Sequence, residues 1–476
     1  MKVLFINPSF KNLVQVPGPE AIPELASVAP PLGLLYVAAY AEKNTAHTIE
    51  VLDANLEGLT PEQIGEQVAQ RKPDLAGITA TTFSLMDVVL TAKAVQRARP
   101  ETLVVLGGPH VFFFPDETMT LPEMDYLIMG EGERPFSQLL DVLSGNGDFA
   151  QVPGLVWRNK QGEVVKNPMA PYVEDLDSLP FPARHLVPIE RYRSLMTHEA
   201  FLATIMSSRG CPYRCTFCNQ RHMGGKFRAR SVESVIAEME LCAKMGFREI
   251  MFYDDTFTIN RKRVLEICDR LIERRLPVKW DIRARVNTLD EEVLDRLAAA
   301  GCVRLRIGVE SGTPEILSVL NKGINLEAAR RVFALAAARG FTTFAYFMIG
   351  NPTETREQIQ RTVAFAKELR CDFVEFSPTH PCPGTELYRM ALEQGVIPHD
   401  YWHDFALHPT PHFKVKLWVD VLPQEEILEL LDWAFKSFYG RPSYMLRRLM
   451  KIRSWSEFHR QARAGLKLLL GSAKSN

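Results

Sequence analysis

The chain has 476 residues, with 56 lysines and arginines, 57 aspartates and glutamates, and a formal net charge of -1. This length exceeds one ordinary hydrophobic core, so two or three domains are expected. The even balance of charge gives no sign of a nucleic-acid partner, and no apolar run reaches the roughly 18 residues that span a bilayer. The first residues, MKVLFINPSF, lack the longer apolar region and cleavage site of a secretory signal, so a cytoplasmic location is expected.

The segment 1–145 alternates short apolar runs with amphipathic helical stretches. Helix starts are marked by Thr60-Pro61, with Gln63 placed for a capping box, and by Ser84. Because strands that alternate with helices form a parallel sheet covered on both faces, this segment is predicted to be a doubly wound α/β domain. The predicted strands are Val3–Ile6, Ile49–Leu52, Leu75–Thr79, Leu103–Leu106 and Tyr126–Met129.

Residues 146–195 are rich in turn formers, as in the segments GNGD and DSLPFPARHLVP. We expect a linker that wraps between two domains. Within it, the segment VPGLVWRNKQGEVV is predicted to form a hairpin.

The alternation of strands and helices resumes in longer units over residues 196–400. Six strand–helix units in this segment favour a partial (β/α)6 barrel over the closed form with eight units. The predicted strands are Ala203–Ser207, Glu249–Tyr253, Val278–Ile282, Val303–Val309, Thr342–Ile349 and Phe373–Ser377.

Residues 401–476 form a small helical extension, with helices predicted at Gln424–Phe438 and from Tyr444 to Leu470. After residue 440 the only acidic residue is Glu457. Such a basic amphipathic tail either contacts anionic lipid or an acidic partner, or is a solvated helix packed on the barrel. The basic residues are Arg441, Arg447, Arg448, Lys451, Arg453, Arg460, Arg463, Lys467 and Lys474.

Three of the eight cysteines, Cys211, Cys215 and Cys218, crowd into one loop with the spacing C-x3-C-x2-C. Eight cysteines in a chain of this length do not form a disulfide scaffold, and the other five are scattered and expected in or near the core. Thiolates are the usual ligands of iron–sulfur clusters, and four irons normally take four of them. Three thiolates therefore leave one iron open for a small chelating ligand, such as the amine and carboxylate of S-adenosylmethionine (SAM).

A zinc site is the alternative, because His222 follows the last cysteine and completes C-x3-C-x2-C-x3-H. The loop directly follows the first predicted barrel strand, where the active sites of barrels lie. A zinc-stapled module is more often small and free-standing. The position of the loop therefore favours the iron–sulfur cluster.

In this segment the chain resembles the radical SAM superfamily, over about residues 195–395. The resemblance implies that Cys211, Cys215 and Cys218 hold a [4Fe-4S] cluster, that SAM caps the open iron, and that a 5′-deoxyadenosyl radical forms. It also implies that residues at successive strand ends contact SAM, within the stretches YDDT, WDIRARVN, ESG and GNPTE. The implied SAM contacts are Phe217, Asp254, Arg285, Glu310, Ser311, Gly350 and Glu354.

The N-terminal segment lacks a G-x-G-x-x-G after its first strand, which argues against a dinucleotide site. Its glycine-rich loops and the run PPLGLLYVAAY resemble the cobalamin-binding, Rossmann-like (flavodoxin-like) domains that precede some radical SAM barrels. Many cobalamin proteins carry D-x-H-x-x-G with a histidine below the cobalt, whereas this chain has Asn55 in the frame Asp53 to Gly58, and an amide is a poor cobalt ligand. The implied cobalamin contacts are Asp53, Asn55, Gly58, Thr81, Ser84, Gly107, Gly108, Gly130 and Gly132.

The resemblance implies a cobalamin-dependent radical SAM enzyme that methylates an unactivated carbon of a small molecule or lipid. The alternative is a radical SAM enzyme of the same build that does not methylate, such as an oxidative cyclase or a rearranging enzyme of the tetrapyrrole type. A non-enzymatic cobalamin sensor or a zinc-dependent nucleic-acid module is the alternative of another class. The expected partners are an electron donor such as flavodoxin or ferredoxin and, through the basic C-terminal helices, the surface of a membrane.

Overall fold

Two parallel sheets organise the protein, whose computed structural model describes residues 1–18, 29–192, 201–219 and 224–451. The strands are β1 Lys2–Asn7, β2 Thr48–Asp53, β3 Leu75–Thr79, β4 Leu103–Gly107, β5 Tyr126–Ile128, β6 Leu155–Arg158, β7 Val164–Lys166, β8 Leu202–Ile205, β9 Ser208–Arg209, β10 Arg228–Ala229, β11 Glu249–Phe252, β12 Lys279–Arg285, β13 Cys302–Glu310, β14 Thr342–Ile349 and β15 Phe373–Pro378. The α-helices are α1 Leu32–Asn44, α2 Ala54–Glu57, α3 Pro61–Arg71, α4 Leu85–Ala98, α5 Pro109–Phe113, α6 Pro115–Met119, α7 Glu133–Leu143, α8 Val232–Lys244, α9 Arg261–Arg274, α10 Glu291–Ala299, α11 Pro314–Val319, α12 Leu326–Ala338, α13 Arg356–Glu368, α14 Glu386–Glu393, α15 Tyr401–Leu407, α16 Gln424–Tyr439 and α17 Pro442–Lys451.

The N-terminal sheet has the strand order β2-β1-β3-β4-β5-β6-β7, and its first five strands are parallel. The order 2-1-3-4-5 is that of flavodoxin-like doubly wound folds, so the predicted fold is confirmed. Both faces of β1 are covered, since Leu4 and Ile6 join one hydrophobic core and Val3 and Phe5 join another. Because both faces of these strands are buried, their residues do not alternate between polar and apolar. A short, near-continuous apolar run therefore predicts such a strand.

The predicted hairpin lies within the segment expected to be a linker, and it continues this sheet. Strand β6 pairs antiparallel with β5, and β7 pairs antiparallel with β6. The first sheet thus extends past residue 145. The predicted capping box of α3 is also present, since Thr60 accepts from the backbone of Gln63 and the Gln63 side chain accepts from the backbone of Thr60.

The second sheet has six parallel strands in the order β8-β11-β12-β13-β14-β15, which follows the order of the chain. A helix follows each of the strands, and α8, α9, α10, α12 and α13 pack their apolar sides on the sheet, as Val235, Ile236 and Met239 of α8 do. This arrangement is the predicted partial barrel. The carboxyl ends of its strands lie at one rim, where the cysteine loop leaves β9.

The C-terminal extension is divided between the two sheets. Helices α14 and α15 pack on the N-terminal domain, where Trp402 and Phe405 share a core with Phe114 and Met119. Helix α16 packs against β15 and α13. The predicted helix from Tyr444 is described only up to Lys451, and its remainder lies outside the described residues. Among the helices that the structure describes, none is both long enough and apolar enough to cross a membrane.

Candidate functional site

The cysteine loop lies between β9 and β10 at the open rim of the barrel. Cys211 and Cys215 are half-buried and Cys218 is exposed, and none of the three takes part in a disulfide. Two backbone bonds hold the loop from outside, from the Thr216 N–H to the Leu320 carbonyl at 3.1 Å and from the Leu387 N–H to the Thr216 carbonyl at 2.8 Å. The loop thus presents three thiols on a supported backbone, which fits a cluster with one open iron.

Within the described residues, no three His, Cys, Asp or Glu side chains, the loop cysteines included, converge as ligands of a single metal ion. This finding applies equally to a zinc site and to the cluster, so it does not separate the two. His222, which the zinc pattern needs, lies outside the described residues.

Arg285, at the end of β12, bonds directly to the cysteine loop. Its Nη1 donates to the Sγ of Cys215 at 3.2 Å, and its guanidinium lies 3.8 Å above the ring of Tyr213. Its Nη2 donates to the carbonyl of Lys322. Arg285 is thus bonded to the cysteine loop and to the turn at Lys322. Its contact with SAM stays a prediction.

Lys322 is a site residue that the sequence patterns did not indicate. Its Nζ contacts Glu310 Oε1 at 2.6 Å, and it lies 5.8 Å from the ring centroid of Phe217. The pair lies over Gly308, where an added Cβ would come within 2.4 Å of Glu310 Oε1 and 2.8 Å of Lys322 Nζ. The structure therefore brings Phe217 and Glu310, two predicted SAM contacts, together around a buried ammonium group.

The two acids that follow β11 have different roles. Asp254 is fully buried and accepts from the Ser207 N–H at 2.7 Å, from the Ser207 Oγ at 2.6 Å and from the Ser208 Oγ at 2.5 Å. These three hydrogen bonds anchor the strand-end loop, and the contact of Asp254 with SAM stays a prediction. Asp255 accepts a backbone hydrogen bond from Gly210, and burial together with the charge of Asp254 raises its pKa to about 6. The carboxylate that reaches the cysteine loop is therefore Asp255.

Ser311 faces away from the rim. Its hydroxyl is buried and lies 3.1 Å from the Thr313 Oγ1 and 3.2 Å from the Thr362 Oγ1 of α13. Its side chain thus ties the end of β13 to the helix layer, and its contact with SAM stays a prediction.

The turn after β14 is built by Glu354 and Asn351. Glu354 Oε2 accepts from the Asn351 N–H at 3.0 Å and from the Asn351 Nδ2 at 2.9 Å, while its Oε1 is buried with no hydrogen-bond partner among the described residues. Burial raises the pKa of Glu354 to about 7. Gly350 begins the turn with a φ of 72°. The Glu354 side chain therefore shapes the turn, and the surface that the turn offers to a ligand is its backbone.

A cavity of about 300 Å³ opens at the carboxyl ends of β3, β4 and β5, against α1 and α7. Of the predicted cobalamin contacts, it is lined by Gly107, Gly108, Gly130 and Gly132, and its walls are mainly apolar. An added Cβ at Gly107 would meet no protein atom within 4 Å. Gly107 thus keeps space open at the end of β4, which fits a ligand that approaches the backbone closely.

The other predicted cobalamin contacts are not in the lining of this cavity. Asp53 is buried and accepts from Asn7 at 2.8 Å and from the hydroxyl of Tyr192 at 2.7 Å. Asn55 accepts from the backbone N–H of Phe10. The remaining three stabilise local structure, because Gly58 ends α2 and the side chains of Thr81 and Ser84 form a reciprocal helix cap.

The wall between this cavity and the cysteine loop is a buried ionic network. Arg209 donates to Glu131 at 2.8 Å and to Glu133 at 2.5 Å, and all three residues line the cavity. Arg228 also contacts Glu131 at 3.0 Å. Burial alone would raise the pKa of Glu131, but Arg209 and Arg228 hold it below its usual range. Because Arg209 lies two residues before Cys211, the network joins the turn after β5 to the cysteine loop.

One histidine, His110 of α5, and one cysteine, Cys382 of the loop after β15, also lie near these features. His110 is fully buried between Thr82 and Thr118, and burial lowers its pKa to about 3. It is therefore a neutral residue of the core. Cys382 is half-buried in the loop after β15. The Asn219 amide donates to the carbonyl of the next residue, Pro383, at 3.4 Å, which holds that loop against the cysteine loop.

Comparison with known proteins matches both halves of the chain. A model of the radical SAM superfamily matches residues 205–366, and a model of the B12 binding domain matches residues 21–140. An uncharacterized methyltransferase of Pyrococcus horikoshii is 33% identical over 450 residues, which cover 94% of each chain. An anaerobic magnesium-protoporphyrin IX monomethyl ester cyclase of Rubrivivax gelatinosus is 29% identical and covers 94% of this chain and 78% of its own.

A solved structure of OxsB, a cobalamin-dependent SAM radical enzyme, has the same fold. It aligns with a TM-score of 0.74 at 18% identity, over 98% of this chain and 72% of OxsB. The cysteine loop lies in the segment that the radical SAM model matches, and most of the cavity lining lies in the segment that the B12-binding model matches. The chain belongs to the radical SAM superfamily, in the group whose radical SAM domain follows a B12-binding domain.

Proposed function

We propose that the protein is a cobalamin-dependent radical SAM methyltransferase that acts on an unactivated carbon of a small molecule. When bound, the [4Fe-4S] cluster and SAM supply a 5′-deoxyadenosyl radical, and cobalamin supplies the methyl group. The observation that carries the proposal is the shared wall, since Arg209 borders the strand-end cavity and leads directly into the cysteine loop. One buried side chain therefore fixes the cobalamin module relative to the radical SAM module.

The chain's own residues prepare the radical SAM site in three ways. Cys211, Cys215 and Cys218 offer the cluster ligands, and Arg285 donates a hydrogen bond to the Sγ of Cys215. Lys322 and Glu310 place a buried charge pair at the end of β13, beside Phe217. These groups are held before any ligand arrives, so little reorganisation accompanies binding.

The cobalamin module is expected to lack a histidine below the cobalt. Asn55 stands in the place of that histidine, and its amide oxygen accepts from the backbone of Phe10. A cobalt without a strong lower ligand releases a methyl group more readily. This feature favours methyl transfer.

Methylation is supported by the relative with 33% identity over nearly the whole chain, which is named a methyltransferase. A second candidate is a radical enzyme that does not methylate, because the relative with 29% identity is named a cyclase of a magnesium-protoporphyrin ester. A non-enzymatic cobalamin sensor is the third, and it would need no cysteine loop. The proposed reductant is a flavodoxin or ferredoxin. The proposed substrates include lipids as well as small molecules. The basic C-terminal helices are proposed to contact the surface of a membrane.

The test is anaerobic reconstitution with iron, sulfide and hydroxocobalamin, followed by metal counting and by product analysis after SAM and a reductant are added. We expect about four irons and one cobalt, and 5′-deoxyadenosine together with S-adenosylhomocysteine. A triple Cys211→Ala/Cys215→Ala/Cys218→Ala variant should lose the iron and the 5′-deoxyadenosine. The matched control is Cys382→Ala, which removes a neighbouring thiol outside the loop and should keep its iron.

Each other outcome points to a different candidate. Iron without cobalt would make the N-terminal domain a scaffold and end the methyltransferase proposal. 5′-Deoxyadenosine without S-adenosylhomocysteine in the presence of candidate substrates would favour the second candidate. Cobalt without any radical product would favour the sensor.

A further inference from the structure

The inner face of the barrel sheet, opposite the helices, carries charged side chains. Every second residue of β12, and of β13 from Leu305 onward, belongs to the hydrophobic core that the helices cover. The alternate side chains lie on the inner face, and they include Asp281 and Arg283 of β12 and Arg304 and Arg306 of β13. The interior of a barrel is ordinarily packed with apolar side chains, so a charged inner face indicates a site for a polar ligand.

Two of these arginines, Arg283 and Arg306, are neighbours on adjacent strands. They are partners in the parallel register of β12 and β13. Like charges at neighbouring positions of a sheet are unfavourable unless a counter-charge balances them. The pairing therefore calls for an anion.

The guanidinium groups of these two arginines have few acceptors in the protein. Arg283 has one hydrogen bond among the described residues, from its Nη1 to the carbonyl of Tyr253 at 3.5 Å. The Nη1 of Arg306 lies 3.4 Å from the Tyr346 hydroxyl and its Nη2 lies 3.3 Å from Asp281 Oδ2. The Nε of Arg306 is buried with no hydrogen-bond partner in the described part of the chain. A guanidinium carries more N–H donors than these long contacts use, so the others are available to a ligand.

The acids near these two arginines do not balance both charges. Asp281 forms its shortest contact, 2.7 Å, with Arg304 instead. Asp255 and Glu375 form no hydrogen bond with either arginine in the ranges that the structure describes, and burial raises the pKa of both, although the arginines oppose the shift. Positive charge is thus left on the inner face for a ligand to neutralise.

An aromatic ring lies against each of the two guanidinium groups. The Cζ of Arg283 is 5.0 Å from the ring centroid of Tyr253, and that of Arg306 is 5.0 Å from the ring centroid of Phe344. Such contacts hold the plane of a guanidinium group and leave its N–H edge to bind a carboxylate or a phosphate in a bidentate manner.

The two arginines lie below the rim that carries the cysteine loop. They precede Arg285 and Gly308 by two residues on their strands, and a rise of about 3.3 Å per residue places them roughly 7 Å deeper. The Arg306 side chain is 16% exposed, and Arg283 and Tyr346 are half-buried. A molecule held here by one end can therefore extend toward the cysteine loop with the other.

We propose that Arg283 and Arg306, together with the hydroxyl of Tyr346, form a subsite for an anionic group of the substrate, a carboxylate or a phosphate. Either oxyanion accepts from the N–H donors of both arginines and balances their charges. The subsite rests on the proposed function, because the group that it binds belongs to the molecule on which the radical acts. It narrows the substrate class of that function to molecules that carry an oxyanion.

The test is calorimetric titration of the full chain, reconstituted with iron, sulfide and hydroxocobalamin and saturated with SAM in the absence of a reductant. The two titrants are methyl phosphate and acetate, which carry the two oxyanions on the same methyl group. We expect the wild type to bind at least one of them, more weakly as the chloride concentration rises, and the preferred titrant identifies the group. An Arg283→Gln/Arg306→Gln variant should bind it at least about tenfold more weakly, since charged hydrogen bonds are lost.

The matched control is Arg330→Gln/Arg339→Gln, which removes the same charge from α12. The Arg339 side chain is 15% exposed, close to the 16% of Arg306, and its partners are acids on the helix layer. This control should bind the titrants as the wild type does. If the double variant of the subsite does not fold, Arg283→Gln alone takes its place, because Arg283 loses a single hydrogen bond of 3.5 Å.

Equal binding by the wild type and the subsite variants would overturn the proposal, as would a wild type that binds neither titrant. Weaker SAM binding by the subsite variant in equilibrium dialysis would also overturn it, because the arginines would then serve SAM. Metal content and nucleoside products report on the proposed function separately. A protein that forms both nucleosides but binds neither titrant lacks the subsite alone, and a protein that binds a titrant without cobalt or products keeps it.

Discussion

Arg209 donates to Glu133 across 2.5 Å, and this bond joins the N-terminal sheet to the loop that carries the cysteines. The side chains of Arg209 and Glu133 are 7 and 4% exposed. The Tyr36 ring lies 5.3 Å from the guanidinium, and the Tyr36 hydroxyl donates to the carbonyl of Met206 at 3.3 Å. Two residues of the cobalamin module, Glu133 and Tyr36, thus converge on the segment that leads to Cys211.

Replacement of Arg209 by methionine should destabilise the protein strongly. Removal of one partner from a buried ion pair leaves an uncompensated buried charge, which costs about 3–5 kcal/mol in the free energy of unfolding. The matched control is Lys226→Met, because the Lys226–Glu174 pair is 69 and 67% exposed and should change stability by less than about 1 kcal/mol. Urea unfolding of both variants measures the difference. Equal stability of the two would mean that Arg209 does not hold the modules together.

The parallel strands could be predicted from the sequence because each is a near-continuous apolar run. Leu75–Thr79 and Thr342–Ile349 were predicted to the residue. The two-residue strands β9 and β10 carry no such run, and the pairing of the linker hairpin with β5 depends on tertiary contact that no local pattern encodes.

Within the site, the sequence indicates which loops meet but not which side chains point inward. The order of motifs places the cysteine loop, Arg285 and Glu310 at one rim. It does not distinguish Asp254 from Asp255, since which carboxylate anchors the strand-end loop depends on the hydroxyls of Ser207 and Ser208. Lys322 follows a helix and matches no pattern used to find the site. The local sequence Asn-Lys-Gly predicts a turn at Lys322, and the residues on either side of it have positive φ. It does not indicate a functional role for the lysine.

A leucine at position 107 should block the N-terminal cavity without unfolding the domain. Gly107 lines the cavity, and an added Cβ would meet no protein atom within 4 Å, so a larger side chain extends into open space. We expect Gly107→Leu to lose bound cobalt while it keeps its iron and its circular dichroism spectrum. Iron serves as the internal control, because it is bound by the other module. Normal cobalt content in this variant would move the cobalamin site away from the cavity.

An alanine at position 308 should disturb the pair formed by Lys322 and Glu310. The new Cβ would come within 2.4 Å of Glu310 Oε1 and 2.8 Å of Lys322 Nζ, so one of the two side chains has to move. If the pair helps to hold SAM, its binding should weaken about tenfold, the typical effect of one lost charged hydrogen bond. Equilibrium dialysis with the reconstituted protein measures it.

Lys322→Met provides the parallel test, since it removes the ammonium group without crowding the glycine. It should weaken SAM binding to a similar extent while the iron content stays unchanged. Retention of SAM affinity in both variants would limit the pair to a structural role.

Glu354 should make the protein less stable as the pH rises. Burial raises its pKa to about 7 from an ordinary value of 4.5, so the folded state holds this proton more tightly than the unfolded state does. The resulting stabilisation is fully present below pH 4.5 and is lost as the pH rises through about 7, with a total on the order of 3 kcal/mol. Glu354→Gln keeps a neutral side chain at every pH, so its free energy of unfolding should equal that of the wild type near pH 4 and exceed it at pH 8. The matched control is Glu357→Gln. Glu357 is exposed on α13, and hydrogen bonds with the backbone and Thr355 lower its pKa. The free energy of unfolding of this variant should not exceed that of the wild type at pH 8. Urea unfolding across this range measures all three proteins. If the wild type and Glu354→Gln followed parallel pH profiles, the carboxyl would already be ionised in the fold, and the unpartnered Oε1 would have to be solvated instead.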